Sequence, residues 1–136
     1  MRSVLILDDE QAVRESFADY FEDRLWYPIQ AESAEEALEL LENESPPGAV
    51  VDVRLPGMDG NDFIREVIRR KILMAFVVCT GSPEYMVPPD LLKLSCVSSR
   101  LFKKPVTHMA AMENELYRII ERMSWASNST TNRQGP

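Results

Sequence analysis

The chain has 136 residues, 45% apolar and 27% charged, with a formal net charge of −7. That length is one domain with enough interior to fold without metal or disulfide support, and the acidic balance, with no broad basic stripe, argues against general nucleic-acid binding. The longest apolar run, residues 72–79, is far too short to cross a bilayer. Cys79 and Cys96 form no disulfide framework, and with no signal peptide in view the expected location is the cytoplasm.

The elements alternate strand and helix. Residues 3–7, apolar from Val4 on, read as a first strand ending at Asp8 and Asp9. Val13, Phe17, Tyr20, Phe21 and Leu25 then recur near helical spacing over residues 11–24. Residues 28–31 read as a short second strand. Ser33, with Glu36 three residues on, is a capping box that opens a helix with Ala37, Leu38, Leu40 and Leu41 inward. Pro46, Pro47 and Gly48 stop it.

A third strand, residues 49–53, carries Asp52 at its end and runs into a Pro56- and Gly60-containing turn. A helix over 61–70 turns Phe63, Ile64, Val67 and Ile68 inward. It ends in Arg69, Arg70 and Lys71, which complement a helix C-terminus. The strand at 74–79 buries Cys79 as a free thiol and ends at Thr80 and Gly81. Prolines 83, 88 and 89 break the next stretch and leave a short helix near 90–94. A fifth strand, 100–102, ends at Lys103, Lys104 and Pro105. The last helix, 107–123, has a methionine-rich stripe that reads as core. His108 at its start reads as a surface residue. Residues 1–123 are therefore expected to form the domain. Residues 124–136 are expected to be a disordered tail, or the start of a linker.

Five successive strand–helix units imply a parallel sheet with right-handed crossovers and helices on both faces. Asp8, Asp9, Asp52, Thr80 and Lys104 all follow strands, so they meet at the carboxyl edge where open α/β sheets carry their chemistry. Asp8, Asp9 and Glu10 alone could simply charge a helix start. Clustered with Asp52, the carboxylates would repel unless a cation joined them. Mg²⁺ suits such a site because it takes one or two carboxylates, oxygen donors and waters. Asp9 and Asp52 could bind it directly, with Asp8 through water and a carbonyl just after Asp52. A carboxylate can also be a nucleophile toward phosphorus. Phosphoryl transfer needs its equatorial oxygens neutralised, and Lys104 and the Thr80 hydroxyl are placed to do so.

Those residues, in that order, resemble a response-regulator receiver domain of bacterial two-component signalling. The match spans roughly residues 2–123. It comprises the Asp8–Asp9 pair, Asp52 with Pro56 and Gly60, Thr80–Gly81, and Lys104–Pro105. The resemblance implies a flavodoxin-like doubly wound sheet in the order 2-1-3-4-5. It implies that Asp52 accepts phosphate from a sensor histidine kinase or phosphotransfer protein, that Asp8, Asp9, Asp52 and the Arg54 carbonyl organise Mg²⁺, and that Thr80 and Lys104 bind the phosphoryl group. It implies a cis bond before Pro105, and a switched surface that acts on a downstream protein or an output domain, with no direct nucleic-acid or membrane binding. The protein would be a phosphoacceptor rather than an enzyme beyond its own phosphorylation and dephosphorylation. Arg54 and Ser82 would flank the attack path and tune phosphate lifetime. One departure stands out: Leu101 occupies the switch position where the family usually has an aromatic residue. Two alternatives are a degenerate receiver that only binds proteins and a Mg²⁺-dependent phosphatase with an aspartate nucleophile.

Overall fold

The computed structural model describes the backbone of residues 2–133 and the side chains of residues 2–124. Strands β1 (Arg2–Leu7), β2 (Trp26–Ala31), β3 (Gly48–Asp52), β4 (Ala75–Thr80) and β5 (Val97–Lys103) alternate with helices α1 (Gln11–Asp23), α2 (Ala34–Leu40), α3 (Gly60–Arg69), α4 (Pro89–Leu92) and α5 (Met109–Arg133). They form one five-stranded sheet in the order β2-β1-β3-β4-β5, and every neighbouring pair is parallel.

Successive residues of a strand face opposite sides, and here both sides are covered. Leu5, Leu7, Ala49, Val51, Phe76 and Val78 meet Ala37 and Leu38 of α2, Phe63, Ile64 and Val67 of α3, and Leu91 of α4. Val4, Ile6, Val50, Ala75, Val77 and Cys79 meet Phe17 and Phe21 of α1 and Met112, Leu116 and Ile119 of α5. This double burial explains why β1, β3 and β4 read as unbroken apolar runs. The methionine stripe is core, as Met112 is fully buried. Cys79 and Cys96 are free thiols, and burial pushes the Cys79 thiol up to about 12.

Several boundaries differ from expectation by a residue or two, and β2, β5 and α5 depart in ways that have a physical cause. β2 begins at Trp26 rather than Pro28; it is an edge strand, where a residue without an N–H is tolerated. β5 begins at Val97 rather than residue 100 and its pairing with β4 shifts register between Phe76 and Val78. There the Ser98 hydroxyl accepts from Arg100 N at 3.0 Å and donates to Glu115 at 2.7 Å, so a side chain replaces ladder bonds. Finally, α5 does not stop at Met123: its backbone stays helical to Arg133, through most of the stretch expected as a disordered tail. The first breakers after Met123 are Gly135 and Pro136. Residues 134–136 of that stretch lie outside the described residues. Among the described residues no helix is long and apolar enough to cross a membrane.

Candidate functional site

The ends of β1, β3, β4 and β5 converge as the parallel order requires. Asp8 and Asp52 are almost wholly buried, with relative exposures of 2% and 4%, and Thr80 is at 1%. The Lys104 ammonium lies between the carboxylates, 2.7 Å from Asp8 Oδ2 and 3.2 Å from Asp52 Oδ2. Asp9 is exposed at the mouth. Asp9, Glu10, Asp52, Arg54, Gly81, Ser82, Pro83 and Lys104 line a cleft of about 450 Å³. The sequence-derived set is thus brought together, including the flanking positions 54 and 82.

Local structure sets each group. The Glu10 N–H donates to Asp8 Oδ1 at 2.9 Å, and the Arg14 guanidinium donates to the Asp8 carbonyl at 2.9 Å. Asp8 Oδ2 has no hydrogen-bond partner; its contact with Lys104 is ionic and off the hydrogen-bonding direction. Glu10 is the N-cap of α1 and makes no side-chain cap bond. Asp8 therefore turns one oxygen into the site, and capping does not account for the acidic cluster. Lys104 and its neighbour Lys103 both reach across: Lys104 N donates to Thr80 O at 2.8 Å, and Lys103 Nζ to Pro83 O at 2.9 Å. The Lys104–Pro105 peptide is cis.

Asp52 is held from beneath by α3. The Gly60 N–H donates to Val53 O at 2.9 Å. A Cβ on Gly60 would lie 2.2 Å from the Asp52 carbonyl oxygen, so only glycine permits this approach. The preceding turn uses Gly57 at φ +76° and is tied to α2 by Met58 N donating to Glu35 at 3.0 Å.

Burial, then the Asp8 charge, pushes the Asp52 carboxyl up to about 6, with Lys104 opposing. Burial disfavours the Lys104 charge, yet the Asp8 and Asp52 carboxylates outweigh it and its pKa is raised. Oxygens of Asp8, Asp9 and Glu10 approach one another within 4.8 Å. Carboxylates of Asp8, Asp9 and Asp52 converging at one sheet edge suit a hard divalent cation.

Leu101 is half-buried against the α2–α3–α4 side, whereas Phe102 is buried among α1 and α5 with the Arg100 guanidinium 5.1 Å from its ring centre. Alternation sends the aromatic residue to the wrong face for position 101. Sequence reading missed Lys103, Arg14, Glu35 and Gly60's packing role. Only Gly60 carried a signal, as a glycine just after a strand-ending carboxylate.

A family model for the response regulator receiver domain matches residues 4–113. The chain belongs to the response-regulator receiver family. Among curated relatives, this receiver is 33% identical over 86 residues to the positive alginate biosynthesis regulatory protein of Pseudomonas aeruginosa, covering 61% of this chain and 35% of that protein. It is 30% identical over 125 residues to a cyclic di-GMP phosphodiesterase of Thermotoga maritima, covering 86% and 33%. The chain therefore spans about a quarter to a third of the length of the curated relatives it matches. Among solved structures, the receiver has a TM-score of 0.81 to one described as adenylate cyclase from Rhodopirellula baltica, at 20% identity over 99% of this chain and 98% of that one. It has 0.72 to the response regulator TrrA of Thermotoga maritima in complex with Mg²⁺-BeF, at 18% identity over 88% and 99%. These likenesses establish the CheY-like flavodoxin fold.

Proposed function

We propose that this receiver is a phosphoacceptor switch in which Asp52 takes a phosphoryl group in a Mg²⁺-dependent reaction. The observation that carries the reading is the buried Asp52 carboxylate facing Lys104 at 3.2 Å, with Asp8 and Thr80 at the neighbouring strand ends. Asp8, Asp9, Asp52 and the Arg54 carbonyl would hold the Mg²⁺. When bound, it would neutralise charge on one phosphoryl oxygen and relieve the repulsion between carboxylates.

An Asp52 carboxylate oxygen attacks phosphorus, the O–P bond forms as the P–N bond of a donor phosphohistidine breaks, and the imidazole leaves with the electron pair. Lys104 pairs with one equatorial oxygen as a point charge. Thr80 donates its hydroxyl proton to another. Water later attacks the acyl phosphate beside Arg54 and Ser82, so turnover is of the protein's own phosphate and the chain is not an enzyme toward outside substrates. The donor would be a histidine kinase or phosphotransfer protein, and the readout a downstream protein or an output domain. The complete carboxylate, hydroxyl and lysine set speaks against a degenerate receiver. Asp8, engaged by Glu10 N and Lys104, is a poor nucleophile for a phosphatase reading.

Incubation with acetyl phosphate and Mg²⁺ should add the mass of one phosphoryl group to the wild type, and nothing to Asp52→Ala or to a Mg²⁺-depleted sample. An unmodified wild type that also shows no beryllofluoride-dependent NMR change would defeat the reading.

A further inference from the structure

The segment between β4 and α4 forms one wall of the cleft through Gly81, Ser82 and Pro83. Its own backbone bonds are few. Pro83, Pro88 and Pro89 donate no N–H, and α4 is a single turn. Its ties come from its neighbours. From β5, Lys103 Nζ donates to Pro83 O at 2.9 Å. From the first turn of α3, Asn61 Oδ1 accepts from Tyr85 OH at 2.6 Å. Farther along, Arg65 of α3 grips both oxygens of Asp90 at 2.9 and 3.0 Å.

Between the first two ties lies the contact that matters for chemistry. Ser82 N–H donates to Thr80 Oγ1 at 3.0 Å, and Tyr85 N donates to Ser82 O at 3.4 Å. A hydroxyl has one proton and two lone pairs. With a lone pair occupied by Ser82 N–H, the Thr80 proton is left to be donated into the cleft. The position of Ser82 therefore orients Thr80, and Lys103 and Tyr85 hold Ser82 from either side.

We propose that Lys103 and Tyr85 are positioning residues for the phosphoacceptor site, fixing the Ser82–Pro83 wall so that Thr80 presents its proton to the group on Asp52. The inference rests on the phosphoacceptor reading above. The consecutive lysines divide the work: strand alternation turns Lys104 into the carboxylates and Lys103 out over the loop. Both ties act on the β4 side of the cleft. The cation-binding carboxylates come from the β1 and β3 sides, so phosphoryl recognition and metal binding are separable.

The test is a pair of titrations on wild type, Lys103→Met, Lys103→Arg and Tyr85→Phe, followed through the amide signals of Thr80 and Ser82. MgCl₂ comes first, then beryllofluoride at saturating Mg²⁺. Lys103→Met and Tyr85→Phe should each weaken beryllofluoride binding about three- to tenfold, the size of one lost oriented hydrogen bond. They should leave Mg²⁺ affinity unchanged, and Lys103→Arg should behave as wild type. Unchanged or tighter beryllofluoride binding in both variants overturns the proposal, as does a parallel loss of Mg²⁺ and beryllofluoride affinity, which would mark a merely structural role. A wild type that binds Mg²⁺ but no beryllofluoride overturns the phosphoacceptor reading, and this proposal with it.

Discussion

Ionised Asp52 sits in its position at a cost, because burial and the Asp8 charge outweigh Lys104. Burial and the Asp8 carboxylate raise its pKa to about 6, and Lys104 limits the rise. A carboxyl raised in this way favours the fold while it keeps its proton, and that contribution is lost as pH rises through about 6. Asp52→Asn should therefore stabilise the metal-free protein at neutral pH by about 1–3 kcal/mol. In urea titrations across pH, the gain over wild type should open between the ordinary value of 3.8 and about 6, then stay level. Mg²⁺ should raise the wild-type stability and close the gap. A gain independent of pH would mean that packing, not charge, sets the difference. Lys104, placed 2.7 Å from Asp8, has the opposite role, since its removal leaves two buried carboxylates facing each other.

Among the elements, the β3–α3 junction has the least tolerance. The Gly60 N–H caps the Val53 carbonyl, and the missing Cβ lets α3 start against the Asp52 backbone. Gly60→Ala should cost about 1–3 kcal/mol in urea denaturation, because backbone rather than a flexible side chain must move. It should weaken Mg²⁺ binding as well. Other elements were legible from local chemistry. Ser33 accepts from Glu36 N at 3.1 Å as the capping box requires, although the Glu36 carboxylate reaches Glu32 N instead of the cap residue's own N–H. The short α4 is a single turn opened by Pro88 and Pro89. The start of β5 was not legible, since Ser98 and Ser99 look like loop residues. The Ser98 hydroxyl supplies the missing backbone partner only once α5 brings Glu115 to it.

Across the whole molecule, α1, β2 and α5 are joined by one buried carboxylate. Glu113, 8% exposed, accepts from Tyr20 OH at 2.9 Å, Arg24 Nε at 3.1 Å and Trp26 Nε1 at 2.8 Å. Burial and the neighbouring carboxylate raise the Tyr20 pKa. Glu113→Ala should cost about 2–4 kcal/mol, since it strands a buried indole N–H and a phenol. The loss should be visible in thermal unfolding and in a shifted Trp26 emission. Glu113→Gln, which keeps an acceptor for the indole, should cost less. This cluster lies among the helices of the α1–α5 side, so neither variant should change the mass gained from acetyl phosphate by the fraction that remains folded.

The sequence by itself determined the βα alternation, the doubly buried central strands and the meeting of Asp8, Asp9, Asp52, Thr80 and Lys104 at one edge. These follow from periodicity and from the chirality of parallel crossovers, which are local or near-local rules. Tertiary structure alone decided which groups complete one another across distant segments. The pairing of Lys104 with Asp8, the Glu113 cluster and the ties from Lys103 and Tyr85 depend on side chains far apart in the chain. Their spacing in sequence carries no signal, because hydrogen-bond partners across a sheet edge are set by register and helix packing. The face taken by Phe102 was legible, by contrast: strand alternation sets it opposite Leu101, and it lies on the α1–α5 side.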